Sequence, residues 1–161
     1  MSERTLYDFD LEGLAGQPLP LRQFAGKPIL LVNTASKCGF TPQYEGLQAL
    51  WSLYGPRGLT VIGAPCNDFG NQEPANAEAI GAFCSANYGV SFPMTAKLHV
   101  RGSRIHPLFA WLAHEGGILS RPRWNFYKYL IGADGRLQTW FTSVAKPMSP
   151  RVRAAVDRAL S

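Results

Sequence analysis

The chain lacks several features that would each point to a particular class of protein. None of its apolar runs approaches the roughly 18–20 residues that a membrane-spanning helix needs, and its first residues lack the apolar segment of a secretory signal. We therefore expect a cytoplasmic protein without a membrane span. Charged residues make up only 17% of the chain and hydrophobic residues 46%, which argues against intrinsic disorder. With 161 residues and no linker or repeat, a single domain over 1–161 is expected.

Cysteine and histidine are both scarce, and neither forms a recognisable cluster. Three cysteines in a reducing compartment do not make a structural disulfide framework. They also lack the paired close spacing of a zinc site, and the three histidines do not cluster with them. We expect no metal and no resident cofactor, and a redox or nucleophilic role for at least one cysteine. Because no Cys-x-x-Cys motif occurs, a general disulfide reductase is disfavoured.

A net charge of +5 raises the question of a nucleic-acid partner. The basic residues are scattered, and the arginines near the C-terminal end are explained by the solvated face of a helix. No segment resembles a nucleic-acid-binding motif. We therefore expect no nucleic-acid partner.

Short apolar runs alternate with helix-period segments along the chain, which predicts an α/β fold. The pattern indicates three layers, with a central mixed sheet, helices on both faces and an N-terminal β-hairpin. The predicted strands cover 5–9, 18–21, 28–33, 59–66, 126–131 and 136–141, and the predicted helices cover 41–54, 76–88, 106–112 and 149–160.

Cys38 lies in the predicted loop between the first long strand and the helix that follows it. Thr41 is a suitable N-cap and Pro42 a suitable first residue for that helix. The positive end of the helix dipole and the neighbouring Lys37 would both favour a thiolate. A cysteine in such a loop is more typical of a reactive group than of an apolar filler. The loop after the next parallel strand leaves from the same edge of the sheet, where ligands bind in such folds.

Three blocks of sequence resemble the signature motifs of the glutathione peroxidases: NTASKCGFT at 33–41, PCNDFGNQEP at 65–74 and WNFYKYL at 124–130. They occur in the family's order and near its spacing, and weaker matches extend over nearly the whole chain. The resemblance implies a thioredoxin-like fold and a thiol-dependent peroxidase that reduces hydrogen peroxide and organic or lipid hydroperoxides. It also implies a peroxidatic thiol at Cys38, with supporting roles for Gln72, Trp124 and Asn125.

These residue types suit peroxide reduction. A thiolate attacks the distal peroxide oxygen and becomes a sulfenic acid. The site needs donors that stabilise the thiolate and the departing oxygen, and amide and indole N–H groups carry no titrating proton. Adjacent residues in a regular strand face opposite sides, so Trp124 and Asn125 can share a site only where the backbone is irregular.

By the same resemblance, Cys84 matches the resolving cysteine of the family's cysteine-containing branch, which thioredoxin reduces. A disulfide with Cys38 tolerates only about 4.4–6.8 Å between Cα atoms, so we expect the helix around Cys84 to unwind partly during turnover. Gly81, Pro74 and Gly89 favour that opening. Three alternatives stay open: a core-filling Cys84, glutathione as the reductant, and a peroxide sensor that passes its oxidation to a partner protein.

The remaining features are less directly tied to the reaction. Cys66 is interpreted as structural or as a secondary oxidation site. Asp68 stands where the family usually has Gln, and its carboxylate would disfavour a nearby thiolate if it pointed inward. The segment 115–123 is short compared with tetrameric family members. The resemblance therefore implies a monomer or weak dimer with an open site.

Overall fold

The computed structural model of the chain describes residues 4–73 and 76–161. A four-stranded mixed sheet, in the order β4-β3-β5-β6, forms the centre of the fold. Strands β3 and β4 are parallel, whereas β5 pairs antiparallel with β3 and with β6. The strands are β3 (Ile29–Thr34), β4 (Thr60–Pro65), β5 (Lys128–Ile131) and β6 (Leu137–Phe141). A separate hairpin pairs β1 (Asp10–Glu12) with β2 (Pro18–Pro20).

Four helices cover the sheet: α1 (Gln43–Tyr54), α2 (Ala77–Tyr88), α3 (Pro107–Gly116) and α4 (Pro150–Leu160). Their buried side chains divide into two cores, one with α1, α2 and α4 and the other with α3 and the hairpin. Strand β3 contributes side chains to both cores because successive side chains of a strand point to opposite faces of the sheet. Leu30 and Val32 enter the first core, and Ile29 and Leu31 enter the second. The predicted three-layer, thioredoxin-like α/β architecture is confirmed.

Several predicted helix ends are confirmed by their capping contacts. The Asn76 side chain accepts a hydrogen bond from the amide of Ala79, and Gly89 ends α2 in the left-handed conformation at φ +60°. The imidazole of His106 caps α3 through the amide of Leu108. Each contact satisfies a backbone group that the helix end leaves free.

Two local predictions are wrong. The first strand begins at Asp10, since Leu6–Asp8 forms a 3₁₀ turn that is held by a hydrogen bond from the Thr5 amide to the Asp8 carboxylate. Thr41 does not cap α1, which begins at Gln43 with no side-chain cap. The Thr41 hydroxyl instead forms hydrogen bonds within the loop that precedes the helix.

The topology brings three polar segments to one edge of the sheet. Strands β3 and β4 both end there because they are parallel, and the antiparallel strand β5 begins there. The segments that follow β3 and β4 and the segment that precedes β5 carry the predicted site residues. Within residues 4–73 and 76–161, no helix is long and apolar enough to cross a membrane.

Candidate active site

Cys38 lies in a series of turns that links β3 to α1. Its side chain is only 8% exposed, and the amide of Phe40 donates a hydrogen bond to its sulfur at 3.4 Å. The Thr41 hydroxyl accepts from the Cys38 amide at 2.8 Å and donates to the Ala35 carbonyl at 2.9 Å. The Thr41 hydroxyl therefore holds the loop around Cys38 in place. The Phe40 N–H faces the Cys38 sulfur and can stabilise a negative charge on it.

Gln72 connects the Cys38 loop to the segment before β5. Its backbone carbonyl accepts a hydrogen bond from the Lys37 backbone N–H at 2.9 Å. Its side-chain oxygen accepts one from the side-chain NH₂ group of Asn125 at 3.0 Å. Because that oxygen is occupied, the Gln72 NH₂ group is the part left to act as a donor. The structure thus joins two of the three predicted donors directly and ties them to the loop of Cys38.

Trp124 lies against the same group of residues. A Cβ atom added at Gly70 would come 3.5 Å from the Trp124 ring and 3.6 Å from Gln72 Cγ, so both side chains flank this glycine. The indole also packs on Phe69, with ring centroids 5.9 Å apart. Among the described residues, the hydrogen bond to the Cys38 sulfur comes from Phe40, and none comes from Gln72, Trp124 or Asn125. The catalytic roles of these three stay predictions.

The backbone is irregular where the prediction required it. Trp124 lies in a bend and Asn125 in a turn, and Phe126 has a φ of +66°, in the left-handed region. The Asn33 side chain holds this turn, since it donates to the Trp124 carbonyl and accepts from the Tyr127 amide, both at 3.0 Å. Asn33 belongs to the first sequence block, but its structural role was not predicted.

Cys84 lies on α2 and is 1% exposed. It belongs to the same core as Cys38, and both are free thiols. Burial raises the pKa of the Cys84 thiol to about 11; the neighbouring Tyr44 hydroxyl opposes that rise and the charge of Glu73 adds to it. Helix α2 fully buries only Ile80 and Cys84 among its 12 residues, with Phe83 and Tyr88 partly buried against the same core, whereas α1, of equal length, buries four.

Cys66 is also a buried free thiol, but it belongs to the other core. The central sheet therefore separates it from Cys38 and Cys84. Burial raises its pKa to about 12, and its sulfur accepts from the amide of Asp68 at 3.3 Å. These surroundings support the structural interpretation of Cys66.

Asp68 is bound to the segment 99–101. Its carboxylate contacts the His99 ring at 2.7 Å and accepts from the Val100 amide at 2.7 Å. Burial opposes ionisation, but the hydrogen bonds from His99 and Val100 outweigh it and lower the pKa of Asp68. The carboxylate is thus held as an anion by its own partners.

Two buried charged side chains near this edge were missed by sequence reasoning. Lys128 donates to the carbonyls of Phe126, Thr142 and Ser143, and burial lowers its pKa to about 7. Glu73 is completely buried and accepts from the Ser36 hydroxyl at 3.0 Å. A Lys in a strand and a Glu in a polar loop are ordinarily exposed, so only their burial distinguishes them. In the part of the chain that the structure describes, no group of three His, Cys, Asp or Glu side chains could hold a metal ion.

The sequence model for glutathione peroxidases matches residues 6–113 of the chain. The chain belongs to the glutathione peroxidase family. It is a peroxidase, as the resemblance of its three blocks predicts.

Full-length relatives and a solved structure agree with this family. This peroxidase is 46% identical over 154 residues to the hydroperoxy fatty acid reductase gpx1 of Synechocystis sp., covering 91% of each chain. It is 46% identical over 143 residues to the glutathione peroxidase-like peroxiredoxin gpx1 of Schizosaccharomyces pombe, covering 88% of this chain and 90% of that one. The crystal structure of Trgpx in its apo form superposes with a TM-score of 0.81 at 33% identity, covering 99% of this chain and 97% of that one.

Proposed function

We propose that this peroxidase reduces hydroperoxides at Cys38 and is recycled by thioredoxin through a disulfide between Cys38 and Cys84. The Cys38 thiolate attacks the distal oxygen of the peroxide, the O–O bond breaks, and the product is a sulfenic acid with water or an alcohol. Gln72, Trp124 and Asn125 supply the N–H donors for the departing oxygen. The supporting observation is the pair of hydrogen bonds that joins Gln72 to Asn125 and to the backbone of the Cys38 loop.

Both hydrogen peroxide and organic or lipid hydroperoxides are proposed as substrates. A groove of about 510 Å³ adjoins the Cys38 loop; its lining includes Gly39, Phe40, Val144 and Met148. This mainly apolar lining gives the organic part of a bulky hydroperoxide a place next to the loop that carries Cys38. The name of the Synechocystis relative, a hydroperoxy fatty acid reductase, supports the same substrate class. The proposal takes the protein as a cytoplasmic monomer or weak dimer.

The resolving role of Cys84 is supported by its location and by its helix. Cys84 shares a core with Cys38, and α2 is held by two buried side chains. A thiol that is 1% exposed cannot be reached by a protein reductant, so we propose that α2 opens partly before the disulfide forms and stays open while thioredoxin reduces it. The peroxiredoxin name of the Schizosaccharomyces relative is consistent with this route.

The test is a comparison of two reducing systems. Peroxide-dependent NADPH oxidation is measured with thioredoxin and its reductase, and separately with glutathione and its reductase. We expect turnover in the first system, its loss in Cys38→Ser and Cys84→Ser, and its retention in Cys66→Ser as the matched control. Thioredoxin-linked turnover that survives Cys84→Ser would overturn the resolving role. No turnover in either system would instead favour a sensor that transfers its oxidation to a partner protein.

A further inference from the structure

The turn over residues 124–127 is held in a strained conformation. Phe126 has a φ of +66°, in the left-handed region, which a bulky side chain rarely adopts. Backbone strain of this kind persists only where the surrounding structure fixes it, and it is concentrated at functional sites. The contacts that hold this turn therefore identify side chains that serve the site.

Three successive backbone carbonyls of the turn each accept a hydrogen bond from a side chain. The pairs of acceptor and donor are Trp124 with Asn33, Asn125 with Ser143, and Phe126 with Lys128. The three donors belong to β3, to the segment that follows β6 and to β5. None of the three lies on α2, so the proposed opening of that helix leaves these contacts in place.

The peptide unit between Asn125 and Phe126 is held at both of its polar ends. Its carbonyl accepts from the Ser143 hydroxyl at 2.5 Å, and its N–H donates to the Asn33 carbonyl at 2.6 Å. Rotation of this unit changes ψ of Asn125 and φ of Phe126 together, so a flip would give Phe126 an ordinary negative φ and relieve its strain. The two hydrogen bonds oppose that flip, because a reversed peptide unit would lose both partners.

The backbone of Ser143 is fixed independently of its hydroxyl. Its carbonyl accepts from the Gln43 side chain at 2.7 Å and from the Lys128 ammonium at 3.4 Å. The residue is only 5% exposed. The Ser143 hydroxyl is therefore presented to Asn125 by contacts that do not depend on the hydroxyl, and its removal should leave the surrounding fold in place.

The orientation of Asn125 matters because its side chain holds Gln72. The Asn125 NH₂ group donates to the Gln72 side-chain oxygen at 3.0 Å. A misplacement of about 1 Å at a site that aligns reacting groups can slow a reaction about 10²-fold. A rotated peptide after Asn125 would shift this side chain from Gln72 and slow the attack of Cys38 on the peroxide.

We propose that Ser143 is a positioning residue for the peroxide step. Its hydroxyl holds the peptide unit between residues 125 and 126 in the strained orientation and so keeps the Asn125 side chain on Gln72. Ser143 acts through Asn125 and exchanges no proton with the peroxide. This inference rests on the proposed donor roles of Gln72 and Asn125.

The experiment measures the oxidation of Cys38 by hydrogen peroxide in a single turnover, followed by stopped-flow tryptophan fluorescence. In Ser143→Ala we expect this step to slow about tenfold, because the donors remain but are misaligned. Ser143→Thr keeps the hydroxyl and should oxidise at close to the wild-type rate. Thr139→Ala, which removes a half-buried hydroxyl from β6, is the matched control and should behave as wild type.

Two further readouts separate positioning from a general structural role. In an Asn125→Ala background, Ser143→Ala should slow the peroxide step no further, since the side chain that Ser143 positions is absent. The Phe126 amide should exchange slowly with solvent deuterium in the wild type, measured by NMR, and faster in Ser143→Ala. The wild-type exchange measurement keeps the inference testable even if Ser143→Ala does not fold.

Contrary outcomes are distinct. A wild-type rate in Ser143→Ala, or equal slowing in the Ala and Thr variants, would overturn the inference. So would a rapidly exchanging Phe126 amide in the wild type, or a full additional loss when Ser143→Ala is combined with Asn125→Ala. A wild-type rate in Asn125→Ala would overturn the donor role of Asn125 and this inference with it. Slow oxidation in Asn125→Ala beside an unaffected Ser143→Ala would overturn this inference alone.

Discussion

The Asn125 side-chain amide donates a hydrogen bond to the Gln72 side-chain oxygen at 3.0 Å. This bond sets the direction in which the Gln72 amide faces, because its oxygen is held and its NH₂ group is left to donate. Asn125 is itself completely buried, so its own position is determined by packing. The buried Asn125 thus orients the partly exposed Gln72 at the edge of the sheet where Cys38 lies.

We expect Gln72→Ala to slow the oxidation of Cys38 by hydrogen peroxide about 10²–10³-fold, the usual cost of removing a donor from a developing oxyanion. Gln72→Glu can still accept from Asn125 but has lost the donor and gained a negative charge, so it should be at least as slow. Stopped-flow tryptophan fluorescence under excess peroxide measures the rate, and Gln138→Ala on the exposed side of β6 is the control. A near wild-type rate in Gln72→Glu would exclude the donor role.

Thr41→Val should affect both stability and the peroxide step. The substitution leaves the Cys38 amide and the Ala35 carbonyl without their partner, which should lower the free energy of unfolding by about 1–3 kcal/mol. We also expect slower oxidation of Cys38, because the loop loses the contact that fixes it. Thr41→Ser keeps the hydroxyl and is the control. Urea denaturation and stopped-flow oxidation are the measurements, and equal behaviour of the Val and Ser variants would contradict this role.

Gly81→Ala tests whether α2 opens before the disulfide forms. An added Cβ would lie 3.4 Å from a Leu14 methyl group, so the site can accept it, and alanine stabilises a helix interior by about 1 kcal/mol relative to glycine. If α2 must unwind, formation of the disulfide should slow about fivefold. Single-turnover mass spectrometry measures this rate, with Ala82→Gly expected to accelerate it. An unchanged rate in both variants would mean that the helix remains folded during resolution.

Lys128 should make the stability of the protein depend on pH. Its folded-state pKa of about 7 lies below the ordinary value of 10.5, so the unfolded chain binds more protons between these two values. Stability should therefore rise with pH above about 7, by at most about 1.4 kcal/mol per pH unit from this group. Lys128→Met should remove that slope. Urea denaturation of both proteins at several pH values from 6 to 9 gives the difference, and parallel curves would show that Lys128 does not titrate in this range.

The parts of the fold that depend on local pattern could be predicted from the sequence. Strands β3 and β4 are apolar runs of strand length, and α2 and α4 carry recognisable caps at Asn76 and Ser149. The first strand could not be located correctly, because distant contacts determine the conformation of the segment before it. The Leu6 amide donates to the Gly135 carbonyl, and the Tyr7 hydroxyl donates to the carbonyls of Lys27 and Ala133.

The predicted site was incomplete for a related reason. The sequence blocks pointed to Gln72, Trp124 and Asn125. The residues that position these side chains do so through contacts between distant parts of the chain, which no local sequence pattern reveals. Thr41 is a residue type that commonly caps helices, but its hydroxyl instead accepts a hydrogen bond from the Cys38 amide in the loop. Glu73 is indistinguishable from a solvated loop residue until the fold buries it.

The placement of the three thiols on opposite sides of the central sheet has a practical consequence for unfolding studies. Cys66 is enclosed by one core, and Cys38 and Cys84 by the other. A thiol reagent applied to the reduced protein at increasing denaturant concentration would therefore report separately on the opening of each half. Labelling of Cys84 before Cys66 would identify the α2 side as the first to lose its packing. The native cysteines thus report on the two halves of the protein without any substitution.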